Sequence, residues 1–137
     1  MARMDMTSEF ARTLGIEVCE SSDNSVTICM PVAGKLQPYG VLHGGANAVL
    51  VEHAASLLAA RHCPEGRIPV GSEVTTQHLR PVYSGSLRAT AHILALSSVG
   101  ATIEVDVYND DARRSATGTL TVVFIDEARF IQHPPAE

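Results

Sequence analysis

Gln37-Pro38-Tyr39-Gly40-Val41-Leu42-His43-Gly44-Gly45-Ala46-Asn47-Ala48-Val49-Leu50-Val51-Glu52-His53-Ala54-Ala55-Ser56 is the stretch whose reading decides the fold. A turn from Gln37 to Gly40 leads into His43-Gly44-Gly45, and an almost wholly apolar run follows until Glu52 interrupts it. The run predicts one long helix over about residues 44–62. Pro64 disfavours helical geometry at Cys63, and Gly66 supplies the turn that ends it. A carboxylate among Val49, Leu50, Val51, Ala54 and Ala55 is costly to bury unless it is paired or has work to do. Polar groups ahead of the helix and one acid within it therefore mark a candidate site. The alternative is an exposed Glu on the surface stripe of an ordinary core helix.

On either side of this helix the chain reads as strands. Residues 5–13 predict a short helix ended by Gly15, inside an N-terminal segment covering about 1–14. Ile16–Glu20 and Ser25–Met30 are two strand candidates joined by the turn-rich Ser-Ser-Asp-Asn. After the helix, Val70, Val74, Thr76 and His78 alternate with Glu73, Thr75, Gln77 and Leu79. Leu87, Ala89, Ala91, Ile93 and Ala95 are expected to share one face of a long strand. Ala101, Ile103, Val105 and Val107 give the cleanest period of two, and Thr117–Ile125 closes the set. Pro81, Ser84-Gly85, Ser98-Val99-Gly100 and Asn109-Asp110-Asp111 punctuate these runs at hairpin intervals. The order predicts an α+β domain, an antiparallel sheet of five to six strands around one long central helix. That helix is apolar nearly all round, so the sheet wraps it or a partner subunit covers the rest. His92, Glu104 and Asp106 read as solvent-facing, and residues 131–137 as a loose tail.

Composition limits the function classes. The 137 residues make one domain, 1–137, large enough for a core without disulfide staples. With 45% hydrophobic and 18% charged residues and a net charge of −5, no general affinity for nucleic acid or anionic membranes is expected. The N-terminus lacks the apolar core of a signal peptide, and Glu52, His53 and Arg61 interrupt the longest apolar run, so a cytoplasmic protein is expected. Cys19, Cys29 and Cys63 are an odd number at wide spacing, read as three unpaired thiols in a reducing compartment. No metal site is expected, because Cys63 and His62 have no second ligand pair at metal spacing.

Within the helix, Glu52 and Ser56 are i,i+4 neighbours on one face, with the small Ala48 on the same stripe. Gly44 and Gly45 open the helix, where unpartnered backbone N–H groups and the positive dipole end suit a developing oxyanion. Gly44 and Glu52 are eight residues apart, so a straight helix separates them by about 12 Å. A base and an oxyanion donor must both lie about 3 Å from one carbonyl. Two antiparallel copies about a two-fold axis would bring Glu52 of one chain to Gly44 of the other, twice per dimer.

The pattern Gln-Pro-Tyr-Gly-x-Leu-His-Gly-Gly-Ala followed by Glu and Ser resembles the hotdog-fold acyl-CoA thioesterases. The branch is that of the Arthrobacter-type 4-hydroxybenzoyl-CoA thioesterase, the phenylacetate-pathway thioesterases and the proofreading thioesterase of enterobactin synthesis. Gln37, His43, Glu52 and Ser56 stand at spacings of six, nine and four residues, as that branch's functional residues do. The resemblance runs from Leu14-Gly15-Ile16 through Gly71–Pro81 to Gly118 and the last strand. It implies hydrolysis of an acyl-CoA thioester, of an aromatic, medium-chain or carrier-bound acyl group, to acid and thiol. Glu52 would be general base, or nucleophile through a transient anhydride. The partner's Gly44 N–H would polarise the carbonyl, Gln37 and His43 would orient the thioester, and Ser56 would hold the carboxylate or the water. Gly45 would adjoin the substrate, with His78, Arg80 and Arg88 beside the coenzyme A phosphates. The resemblance also implies a homodimer, commonly paired into a homotetramer, and no cofactor, coenzyme A being part of the substrate.

Taken singly, the same residues have plainer readings. Gln37 can cap a turn, His43 can bridge two backbone groups, and Ser56 can bond its own helix. His53, turned about 100° from Glu52, reads as structural, and Asn47 stands where relatives often carry serine. Two other functions compete: a hydratase or dehydratase on the same fold, whose motifs are absent, and a non-catalytic acyl-CoA-binding module, which would need no helical acid.

Overall fold

The computed structural model describes residues 8–130. The elements are α1 (Glu9–Leu14), β1 (Glu17–Ser21), β2 (Ser25–Pro31), α2 (Gly44–Ala60), β3 (Arg67–His78), β4 (Ser86–Leu96), β5 (Gly100–Tyr108), β6 (Arg114–Asp126) and α3 (Glu127–Phe130). Ser8 caps α1 by accepting the Ala11 N–H, and Gly15, left-handed at φ 73°, closes it. The start of the expected N-terminal segment and the expected tail at 131–137 lie outside the described residues. The single turn α3 was not expected; Asp126 initiates it by accepting the Ala128 N–H at 3.0 Å.

All six strands join one antiparallel sheet in the order β1-β2-β4-β5-β6-β3. The sheet curls around α2, whose Leu50, Val51, Ala54, Ala55, Leu57, Leu58 and Ala59 are buried. Opposite them lie Ile28 and Met30 of β2, Leu87 of β4, Ile103 and Val105 of β5, and Leu120 of β6. A helix with so little polar surface can sit only where a sheet covers most of its circumference. This is the α+β arrangement, with six strands, that the sequence led us to expect.

Two bulges correct the expected faces. Between Gly71 and Glu73 the β3–β6 register slips, Gly71 pairing with Val122 and Glu73 with Thr121. Paired residues share a face, so Pro69 and Gly71 face α2 together with Val74, Thr76 and His78, and Val70 faces outward. In β4 the register slips between Ile93 and Ala95, so Ala95 pairs with the outward Thr102 and leaves the face of Leu87–Ile93. A bulge inserts one residue and inverts the alternation beyond it.

Two other expectations also change. Cys19 and Cys29 are joined by a disulfide (Cα–Cα 6.3 Å), leaving Cys63 as the free thiol among the described residues. The hairpin connection brings the two strands together, and Cys19 occupies a bulge between Val18 and Glu20, where its side chain meets Cys29. Glu104 and Asp106 are half-buried rather than solvated. Asp106 accepts from Thr117 Oγ1 at 2.9 Å and Arg114 Nη1 at 3.3 Å.

Candidate active site

The segment leading into α2 is tied down at four points. Leu42 N–H donates to Val82 O (2.7 Å), His43 N–H to Lys35 O (2.8 Å), Gln37 N–H to Val41 O (2.8 Å) and Gly40 N–H to Gln37 O (2.9 Å). Gly40 takes φ 85°, which the turn requires and a Cβ would oppose. Gln37 Oε1 accepts the Tyr39 N–H. The plain reading of Gln37 as a turn cap is thus correct, and its amide nitrogen remains free to donate.

His43 is the N-cap of α2. Its Nδ1 accepts the Gly45 N–H at 2.8 Å, so the neutral ring carries its hydrogen on Nε2. Gly44 follows as the first helical residue, and its N–H has no hydrogen-bond partner among the described residues. A cleft of about 350 Å³ opens at this helix end, lined by Gln37, Val41, Leu42, Gly44, Asn47, His78, Leu79, Arg80, Pro81 and Val82. His78 lies over Gly44, its Cε1 and Nε2 both 3.0 Å from where a Gly44 Cβ would stand. Only glycine leaves the ring that room.

Glu52 stands on the exposed side of α2, outside this cleft. It leans toward the β3 bulge: Oε1 is 3.2 Å from the position a Gly71 Cβ would take. Ser56, one turn on, shares its face and is half-buried, but no hydrogen bond joins the two. Within one chain, Gln37, Gly44, His78 and Arg80 therefore come together at one helix end, while Glu52 and Ser56 lie apart from them. Gly45 and His43 adjoin the cleft through the cap. Arg88 lies elsewhere, on the outer face of β4, 3.4 Å from Glu20. The expected grouping of Arg88 with His78 and Arg80 is not found, because β3 pairs with β6 and β4 with β2 and β5.

Two residues escaped the sequence reading. Asn47, 5% exposed, donates through Nδ2 to His78 Nδ1 at 3.1 Å, and its Oδ1 is buried without a partner. The signal was present, since a lone amide in an apolar helical run raises the same burial question as Glu52. Gly71 is the other; a glycine inside a strand marks a bulge or a close approach, and here it marks both. His53 is half-buried, and burial lowers its pKa from 6.5. His62 Nε2 is occupied by Asp23 O. Among the described residues no three His, Cys, Asp or Glu side chains gather to hold a metal. No helix among them is long and apolar enough to cross a membrane.

Comparison with known proteins agrees with this fold. Residues 39–116 match the thioesterase superfamily. The proofreading thioesterase EntH of Cronobacter turicensis is 34% identical over 109 residues, covering 79% of this chain and 80% of that protein. The crystal structure of thioesterase HI1161 from Haemophilus influenzae superposes with a TM-score of 0.82 at 30% identity, covering 92% of this chain and 87% of the other. Thioesterase PA1618 from Pseudomonas aeruginosa gives 0.82 at 31% identity, with 85% and 86% covered. The chain belongs to the thioesterase superfamily and is a thioester hydrolase on the hotdog fold.

Proposed function

We propose that the protein is an acyl-CoA thioesterase whose active sites form between two copies of the chain. The observation that carries this reading is the division of the machinery along α2. An unpartnered amide, Gly44 N–H, opens a cleft at one end, and a carboxylate, Glu52, stands eight residues away beside the edge strand β3. The twelve residues of β3 form a sheet edge with no strand beyond it among the described residues, exposed over much of its length. Such an edge invites another strand. Two chains joined antiparallel along β3 would set their α2 helices side by side and antiparallel, each Glu52 toward the partner's Gly44.

In that site the thioester carbonyl oxygen accepts the Gly44 N–H, whose dipole-end position stabilises the negative charge formed on attack. Glu52 either removes a proton from water as it attacks the carbonyl carbon, or attacks directly to give an anhydride that water then opens. Both routes break the C–S bond and release the coenzyme A thiolate. His43 Nε2–H and the Gln37 amide are the donors nearest the helix start, suited to orienting the thioester and assisting the thiolate. His78 and Arg80 at the cleft supply positive or donor groups for the coenzyme's polar arm. The acyl group would be aromatic or medium-chain, as in the branch the sequence resembles.

Thiol release from phenylacetyl-, benzoyl- and hexanoyl-CoA, followed with a colorimetric thiol reagent, tests this. Glu52→Ala should lower kcat by about 10²–10⁴-fold while size-exclusion chromatography still shows the dimer. Undiminished release in that variant, or full activity in a monomer, overturns the mechanism.

A further inference from the structure

We infer that Asn47 is a positioning residue that sets which nitrogen of His78 carries hydrogen, and so what His78 offers the cleft. The contact is a single one, Asn47 Nδ2 to His78 Nδ1 at 3.1 Å, between the first turns of α2 and the end of β3. Asn47 is 5% exposed, and nothing among the described residues pairs with its Oδ1.

Two orientations of the amide fit the same space. With Nδ2 toward the ring, the carbonyl oxygen and one of the two N–H groups go unpaired. With the amide turned over, Oδ1 would accept from His78 Nδ1–H, and a buried NH₂ with two hydrogens would go unpaired. An under-used carbonyl is a smaller penalty than a second orphaned N–H, since orphaned buried N–H groups are the rarer case in folded proteins. The amide therefore donates, His78 Nδ1 accepts, and the neutral ring holds its hydrogen on Nε2.

That nitrogen is at the edge of the ring lying over Gly44, 3.0 Å from the space a Cβ would fill, in the cleft wall. His43 is set the same way by the Gly45 amide. The helix start thus presents two imidazole Nε2–H donors and a free backbone N–H, with no ring acceptor aimed at the substrate. Three donors grouped at the helix start fit the acceptor-rich carbonyl and phosphate groups of an acyl-pantetheine arm. The kinetic consequence rests on the acyl-CoA reading; the tautomer does not.

The experiment has two arms. Nitrogen-15 NMR of ¹⁵N-histidine-labelled protein reads the tautomer directly, with His78 assigned by the signal lost in His78→Ala. The wild type should show an unprotonated Nδ1 and a protonated Nε2. Asn47→Asp keeps the shape but can only accept, so the pattern should reverse, and kcat/KM should fall about tenfold with the dimer retained. In a double-mutant cycle, Asn47→Asp should cost nothing more in the His78→Ala background. A wild-type His78 protonated on Nδ1 overturns the inference. So does an equal loss from Asn47→Asp with and without His78. If no CoA thioester is turned over, the acyl-CoA reading fails and the tautomer result still stands or falls alone.

Discussion

Gly71→Ala probes the join between the β3 bulge and Glu52. The backbone at Gly71 lies outside the left-handed region, so alanine adopts it without strain and the added methyl acts through contact alone. That methyl would meet Leu120 Cδ1 at 3.0 Å and Glu52 Oε1 at 3.2 Å, against 3.4–4 Å for ordinary contact. Leu120 is fully buried and cannot retreat, whereas Glu52 is exposed and can. The carboxylate therefore moves. A misplacement of about 1 Å costs on the order of 10²-fold in rate, and a few tenths of an ångström proportionately less, so kcat/KM should fall roughly 3- to 10-fold. Stability should fall by up to about 2–3 kcal/mol: overpacking against Leu120 costs about 1–3 kcal/mol, partly offset by the about 0.4–1 kcal/mol alanine contributes by restricting the unfolded chain. Thiol release from phenylacetyl-CoA and urea denaturation on the same preparation separate the two effects. A folded Gly71→Ala protein with wild-type kcat/KM would refute the argument that the bulge sets the carboxylate.

Gly118→Ala should do the reverse, spoiling the fold rather than the chemistry: its Cβ would lie 2.1 Å from Thr75 O, and the paired backbones of β3 and β6 cannot part cheaply. A loss on the order of 3 kcal/mol should appear as a lower urea midpoint; an unchanged midpoint contradicts the pairing of Gly118 with Thr76 across these two strands. His53 supplies a pH dependence. Burial lowers its pKa from 6.5, so the unfolded chain takes up the proton first, and the contribution present above about pH 6.5 is lost as pH falls below it. Urea midpoints at pH 7.5 and 5.0 should show that decline in the wild type and a shallower one in His53→Gln.

Much of this was readable in the residues. The apolar run after Gly45 could only be a covered helix, and Ile103, Val105 and Val107 alternate so cleanly that their strand was plain. The eight-residue gap between Gly44 and Glu52 already sets the two groups about two turns apart on the helix. What stayed hidden depends on pairing between distant segments. Nothing local to Ser72 or Leu94 says that a neighbouring strand will skip them, so Val70 and Ala95 were assigned to the wrong faces. Cys19 and Cys29 looked unrelated because the bulge at Cys19 exists only once β1 lies on β2. His78 and Arg88 looked like neighbours because their strands follow one another in the chain, but sheet order is a property of the whole fold. Asn47 drew no role because its partner is 31 residues away.

The two margins of the sheet are built unlike each other. At one end β1 is five residues long, kinked at Cys19, pinned to β2 by the disulfide, and carries Glu17 and Glu20. At the other, β3 runs twelve residues with no strand beyond it among the described residues. Short, kinked and charged margins resist accretion, and long ones accept it. Growth is therefore permitted in one direction only. In the proposed dimer joined along β3, the merged sheet would have a blunted β1 at both ends, and the assembly would terminate itself instead of propagating into a fibre.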